Sequence, residues 1–330
     1  MKVSKYKNLY IIVIFSFLFF VSYLNGFYKE ETSNHTKEDK FIIEKGLSKN
    51  QIIKILHEKG LISSSLRFAI FNFLNSKKSF KTGEYNFYMT KTENDIFKKI
   101  SSGKTIQVKV SFIEGSTFND ILTEISNNSS LLKTNFNQSE IFKNFSNFYN
   151  ENPEGLCFPD TYLFSNNSQD IDILYKCSNK MHDVLSKYWN KRSSGLPFKN
   201  MYEMLILASI IEKETSNHAE KRMISGVFIN RLNQKMRLQS DPTVIYGIKD
   251  FDGNIKKKDL SEKNLYNTYR INGLPITPIC SPGLESIIAA SNPLRTKNLY
   301  FVSNNRGEHM FSETYEQHLE YVNKYQRGKD

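Results

Sequence analysis

The chain has 330 residues, 39% of them hydrophobic and 13% aromatic, which excludes a solvated disordered polymer and leaves room for two or three modest domains. The formal net charge is +11, yet Lys recurs along the whole sequence beside Asn, Ile, Phe and Tyr and no Arg-rich block forms. The charge therefore argues against nucleic acid as a partner and keeps attraction to an anionic membrane or wall polymer.

The stretch "NLYIIVIFSFLFFVSYLNGFY" supplies an uncharged run over residues 9–28, long enough to cross a bilayer as a helix. Lys2, Lys5 and Lys7 precede it, so the positive-inside rule leaves residues 1–8 as a cytoplasmic tail and exports the remainder. The run is long for a signal peptide and "VSYLNGF" offers no small-residue cleavage site, which favours an uncleaved anchor over a removed signal. Residues 29–40 are charged, lack apolar periodicity and are expected to form a linker.

Residues 41–104 are expected to form a small α+β module. Its start, "FIIEKG", resembles a strand closed by a turn at Gly46, and Ser48 with Gln51 has capping-box spacing ahead of Ile52, Ile53 and Leu56. "KTGEYNFYM" is a second strand, and "TENDIFKKISSGK" a second helix stopped by Gly103. Alternation from Ile106 to Phe112, turning at Gly115, opens a further domain over 105–330. Residues 126–150, rich in Asn and Ser, are expected to be mostly helical. Residues 201–211 are apolar at nearly every position, which predicts a helix buried on most sides. Asn217 with Glu220 then caps another helix, whose inner face carries Met223, Ile224, Val227, Phe228 and Leu232.

Glu212 and Glu214 fall where that buried helix ends. A carboxyl there meets the negative end of the helix dipole and is desolvated by aliphatic neighbours; both effects favour its protonated form, as a general acid for sugar chemistry requires. The plain alternative is pairing with Lys213, Lys221 or Arg222 on a solvated helix end. Helix spacing cannot separate the two carboxyls, because Leu207, Ile211 and Glu214 form one line and Leu205, Ala208 and Glu212 another. Cys157, Cys177 and Cys280 show no CxxC and no His at ligand spacing; no metal site is expected, and one disulfide or three buried thiols both remain open.

Eight ordered motifs, "KTGEY", "EGSTFNDI", "PEGLCFPDTYLF", "ASIIEKET", "VFINRL", "MRLQSDPTVIYG", "YNTYRINGLP" and "LYFV", closely resemble the YceG-like family of endolytic murein transglycosylases. The resemblance covers nearly the whole chain and implies a transmembrane anchor, a LysM-like module and a lysozyme-like α+β catalytic domain. It implies cleavage of the MurNAc-GlcNAc bond within peptidoglycan strands, leaving 1,6-anhydro-MurNAc ends, without a cofactor. It also implies an inner-membrane location with the catalytic domain in the periplasm, and proximity to penicillin-binding synthases. The family's acid/base falls on Glu214, the second Glu of "EKET", with Glu212 as second choice. One carboxyl suffices, because the nucleophile is the substrate's own C6 hydroxyl.

Candidate substrate contacts are Asn230, Arg231, Gln239, Asp241, Thr243, Tyr246, Asn267 and Tyr269, whose amides, hydroxyls and rings can hydrogen-bond or stack on sugars; each could equally serve structure. Asp241 would be a nucleophile in a hydrolase, but its place before Pro242 suits a turn cap better. His309 and His318 fall at family positions and are assigned no role. Cys157 and "ICSPG" depart from the family pattern without touching the expected acid. The competing readings are a non-catalytic peptidoglycan-binding or scaffolding protein and a muramidase that uses water.

Overall fold

The computed structural model describes residues 2–29, 31, 39–135, 138–146, 152–166 and 168–328, without the side chains of 2–8, 138 and 139. Most of the expected 29–40 linker and part of 126–150 lie outside the described residues. The chain divides into two compact units: 1–108 with 163–168, and 109–162 with 169–330.

The first unit opens with α1 (Lys2–Lys29). Its stretch Leu9–Lys29 is long and apolar enough to cross a membrane, 21 residues with mean hydropathy 2.0. Then come β1 (Lys40–Ile43), α2 (Lys49–Glu58), α3 (Ser65–Leu74), β2 (Gly83–Asn86) and α4 (Glu93–Ser102). The Ser48 hydroxyl accepts from the Gln51 N–H while the Gln51 side chain accepts from the Ser48 N–H, so α2 begins at the capping box its sequence carries. Gly103 ends α4 at φ +73°, a left-handed conformation that suits a residue without Cβ. β1 and β2 pair antiparallel, Lys40 opposite Asn86 and Ile43 opposite Gly83. Beneath them Phe41, Ile52, Leu56, Phe68, Tyr85 and Phe97 form a core that also takes in Phe27 from α1. The helix α3 is an addition to the sequence-based expectation; apart from Arg67 and Asn72, "LRFAIFNFL" is apolar on both the core and the outer side, so helical periodicity gives little signal there.

The division between the units falls within β3 (Gln107–Ser111) and β5 (Thr161–Ser165). Between these strands lie α5 (Phe118–Asn127), β4 (Leu131–Leu132) and α6 (Gln138–Ile141). Among the described residues of 126–150 the helix is thus limited to short pieces, not the mostly helical run expected. Its Asn and Ser side chains satisfy turns instead, as where Asn128 Oδ1 accepts from the Ser130 N–H. After β6 (Ser168–Gln169) come α7 (Asp170–Asn190), α8 (Met201–Glu214), α9 (His218–Asn233), α10 (Asp241–Gly247), α11 (Lys257–Ser261), α12 (Leu284–Ser291), β7 (Tyr300–Ser303), β8 (His309–Ser312) and α13 (Tyr315–Gln326).

The helix α8 is the centre of the second unit. Asn200 caps it by accepting from the Tyr202 and Glu203 N–H groups, residues 204–211 are buried without interruption, and α7, α9, α10 and α12 pack around it. Gly226 lets the 294–296 segment lie against α9, since a Cβ there would stand 2.4 Å from the Leu294 carbonyl oxygen. Cys157 and Cys177 form a disulfide that ties the "PEGLCFPD" segment to α7, and Cys280 is a buried free thiol. β7 and β8 form an antiparallel hairpin that packs against α13.

Candidate active site

Glu214 is the last residue of α8, and Thr215 closes the helix as its extended C-cap. The Thr215 hydroxyl accepts from the Asn217 N–H, and the Asn217 side chain accepts from the Ala219 N–H to start α9. The chain therefore turns sharply at a carboxyl that crowns a buried helix. The expected capping role of Glu220 is not taken up; its carboxylate accepts from the His309 N–H and contacts His309 Nδ1, both at 2.9 Å.

The two candidate carboxyls part company in their surroundings. Glu212 is spoken for: Lys221 Nζ donates to Oε1 at 2.9 Å, while the Gly283 N–H and the Ser286 hydroxyl donate to Oε2 at 2.9 and 2.7 Å. Lys221 is only 2% exposed, so this is a buried, hydrogen-bonded ion pair joining α8, α9 and α12. Among the described residues the Glu214 carboxyl has one hydrogen bond, from the Ser240 hydroxyl to Oε1 at 2.5 Å. It is enclosed by protein yet partly open toward a cleft, and burial pushes its carboxyl up to about 7. The Ser240 bond and the more distant Arg231 pull it down, and the negative Asp241 pushes it up.

The cleft has a volume of about 500 Å³. Of the residues singled out in the sequence, Glu214, Arg231, Gln239, Asp241 and Tyr269 line it. Gln239 sits at φ +50°, a conformation non-glycine residues seldom adopt, with its N–H bonded to the Thr268 carbonyl. Asp241 starts α10 directly before Pro242 and accepts from the Tyr269 hydroxyl at 2.7 Å. Arg231 is 7% exposed and donates to the carbonyls of Leu299 and Leu238, each at 2.6 Å, which fastens the 237–239 loop and the β7 approach to α9. Burial holds its guanidinium below the usual range.

The remaining four are not among the residues that line this cleft and are bonded to other parts of the protein. The Asn230 amide donates to the carbonyls of Thr296 and Asn298. Thr243, fully buried, donates to the Ser240 carbonyl and bonds the Thr268 hydroxyl, so it braces the loop that carries Ser240. Asn267 donates to the carbonyls of Asp259 and Glu262. Tyr246 donates to Glu154 Oε2 at 3.0 Å; the Phe118 N–H donates to the other oxygen, and burial raises that carboxyl to about 7 despite these bonds.

Sequence reasoning missed Ser240, whose hydroxyl is the only hydrogen-bond partner of the Glu214 carboxyl among the described residues, and assigned no role to the far wall of the cleft, of which it had noted His309 and His318. That wall is built from Tyr300, His309, Tyr315 and His318 on the C-terminal hairpin and α13. The His318 ring lies 5.2 Å from that of Tyr300 at an interplanar angle of 24°, and burial with nearby Arg231 lowers its pKa. Its Nδ1 has no hydrogen-bond partner among the described residues. Among those residues, too, no group of three or more His, Cys, Asp or Glu could hold a metal ion.

The arrangement is thus a carboxyl whose burial favours its protonated form, a hydroxyl that orients it and an aromatic-lined cleft, which is sufficient for acid/base work on a sugar polymer. A profile of the YceG-like family matches residues 41–324. The chain is 29% identical over 309 residues to an endolytic murein transglycosylase of Bacillus subtilis, covering 87% of this chain and 85% of that protein. It is 26% identical over 297 residues to an endolytic murein transglycosylase of Streptococcus pneumoniae, covering 79% of this chain and 53% of that protein, so it spans about half the pneumococcal relative. The crystal structure of a YceG-like protein from Listeria monocytogenes is similar with a TM-score of 0.55 at 28% identity, covering 86% of this chain and 98% of that one.

Proposed function

The chain belongs to the YceG-like family, and from that premise we propose that it is a membrane-anchored endolytic lytic transglycosylase of peptidoglycan whose acid/base is Glu214. The observation that carries the choice of residue is the contrast between the carboxyls: both oxygens of Glu212 are taken up by Lys221, the Gly283 N–H and the Ser286 hydroxyl, whereas Glu214 is pushed by burial to about 7 at the edge of the cleft.

Glu214 first gives its proton to the oxygen of the scissile MurNAc-GlcNAc bond as that bond breaks. The resulting carboxylate, steadied by the Ser240 hydroxyl, then takes the proton from the C6 hydroxyl of the same MurNAc as that oxygen closes on C1. The product is a 1,6-anhydro end, and the enzyme returns to its protonated state. Asp241 is engaged by Tyr269 and shapes the field at Glu214, which supports a route without a second carboxylate as nucleophile. Gln239 and the aromatic wall supply the hydrogen bonds and ring faces on which sugars stack.

In this reading residues 41–104 are a LysM-like module, supported by the order of strand, two helices and strand from β1 to β2, and residues 105–330 a lysozyme-like domain built around α8. The segment 9–28 anchors the enzyme in the inner membrane with residues 1–8 inside and the rest in the periplasm, where penicillin-binding synthases extend glycan.

The full-length enzyme, wild type beside Glu214→Gln, should be incubated with uncrosslinked glycan strands and the products weighed by mass spectrometry. Fragments one water lighter than hydrolysis products, absent with the variant, are expected. Full-mass reducing ends would make the protein a muramidase, and wild-type-like cleavage by the variant would remove Glu214 from its role.

A further inference from the structure

The first unit leaves one helix face uncovered. On α3, Leu66, Phe73 and Leu74 are 67%, 78% and 66% exposed, and Ile70 between them is half-buried. Positions 66, 70, 73 and 74 share one side of a helix, so these residues form an apolar stripe about 12 Å long at 1.5 Å per residue. The opposite side is committed to the core: Phe68 is fully buried, and Arg67 forms a buried ion pair with Glu93 at 3.1 Å. No acidic residue occurs between Glu58 and Glu84, and Lys77 and Lys78 follow the stripe.

What lies beside this helix identifies what covers it. The Tyr23 hydroxyl bonds Ser64 at 2.6 Å and Arg67 lies over the Tyr23 ring. Phe27 stacks on Phe71 at 3.7 Å and packs against Phe68, and Tyr28 meets Phe71 edge-on. Ascending α1 from 23 to 28 therefore ascends α3 from 64 to 71, and the two helices run side by side in the same direction. If 9–28 spans the bilayer, the last turns of the span and the first turns of α3 share one depth. Lys29 at the end of α1 and Lys77 and Lys78 beyond α3 then lie at the same, outer end.

We propose that α3 dips into the outer leaflet beside the anchor, its Leu66–Ile70–Phe73–Leu74 stripe facing lipid and Lys77 meeting headgroup phosphates, while the Lys78 ammonium lies over the Phe97 ring. The small unit thereby rides against the bilayer surface on a two-helix stem, and does not hang from a free tether. The apolar stripe with basic residues at its outer end has the chemistry of an interfacial helix, and attraction to anionic lipid adds to its burial. The inference rests on 9–28 being a membrane span.

The test uses the full chain with single spin labels at Leu66→Cys, Phe73→Cys and Leu74→Cys, all exposed positions, and reference labels at Leu18→Cys in the span and Lys54→Cys on α2. The native cysteines are bridged or buried. In vesicles of phosphatidylcholine and phosphatidylglycerol, relaxation by oxygen is compared with relaxation by a water-soluble nickel chelate. Labels at 66 and 73 should give an oxygen-to-nickel ratio several-fold above that at 54, with 66 deeper than 73. Labels on α3 as nickel-accessible as 54, with 18 still in lipid, would overturn the proposal and leave the anchor intact. Shielding of α3 from both agents would mean that protein covers the stripe, which also overturns it. A nickel-accessible label at 18 would bring down the anchor reading and this proposal together.

Discussion

Replacing Glu214 by Gln should stabilise the second unit at pH 8. In the native protein burial holds the Glu214 carboxyl near 7 against an ordinary 4.5, so between these values the folded state keeps a proton that the unfolded chain releases. Stability then falls as pH rises through that window. A difference of 2.5 pK units at about 1.4 kcal/mol each corresponds to a loss of about 3 kcal/mol by pH 8. Gln is neutral throughout and can still accept from Ser240, so it escapes the loss. The raised carboxyl of Glu154 is present in both proteins and cancels. Trp189 is the only tryptophan and lies on α7, so its fluorescence reports urea unfolding of this unit. The two proteins should match at pH 4 and separate by up to about 3 kcal/mol at pH 8, the variant being the more stable. A variant equally or less stable at pH 8, or a gap that does not change with pH, would refute the idea that Glu214 is a proton-holding acid whose burial costs stability.

Further outcomes follow from the same geometry. Ser240→Ala removes a hydroxyl that favours the ionised carboxylate, a bond to a charged group worth roughly 1.5–3 kcal/mol; the alkaline limb of the kcat/KM profile should move up by about one pH unit, and an unmoved or lowered limb contradicts the assignment. Glu212→Gln leaves Lys221 buried without its counter-ion and should cost about 3–5 kcal/mol in urea unfolding, while the folded fraction still makes the same products; a stable but inactive variant would transfer the acid role to Glu212. Tyr246→Phe loses its hydroxyl's bonds to Glu154 and Asn152, so about 1–2 kcal/mol of stability should go with kcat little changed. Tyr269→Phe, which frees Asp241 in the cleft, should lower kcat/KM about tenfold, the equivalent of one hydrogen bond; equal effects on activity for the two tyrosines would erase the distinction between scaffold and cleft.

Local chemistry was legible in the sequence where the signal is itself local. The apolar run 9–28, the box of Ser48 and Gln51, the left-handed stop at Gly103 and the end of α8 at Glu214 all depend on neighbours within a few residues. Helix spacing could not separate Glu212 from Glu214, and only the family resemblance put Glu214 first, because the partners that make their surroundings differ are distant: Lys221 lies one helix away and Gly283 and Ser286 lie some 70 positions downstream. Separation along the chain, 20 residues for the Cys157–Cys177 bridge, left free thiols as an equal alternative there, and the greater separation of 300–318 left His309 and His318 without a role in the cleft. Tyr246 and Asn267 look like sugar ligands in isolation, and their contacts with Glu154 and with the carbonyls of Asp259 and Glu262 involve residues too far along the chain to be read from local sequence. α3 escaped because it is apolar on both sides, one face for the core and one for its surroundings.

Cleavage of glycan strands by the wild-type protein in water enriched in heavy oxygen tests the central claim most directly, since it asks which oxygen attacks C1. The account predicts anhydro ends whose mass is unchanged by the label, because the C6 oxygen already belongs to the substrate. Reducing ends carrying one heavy oxygen would show water as the nucleophile and contradict the account.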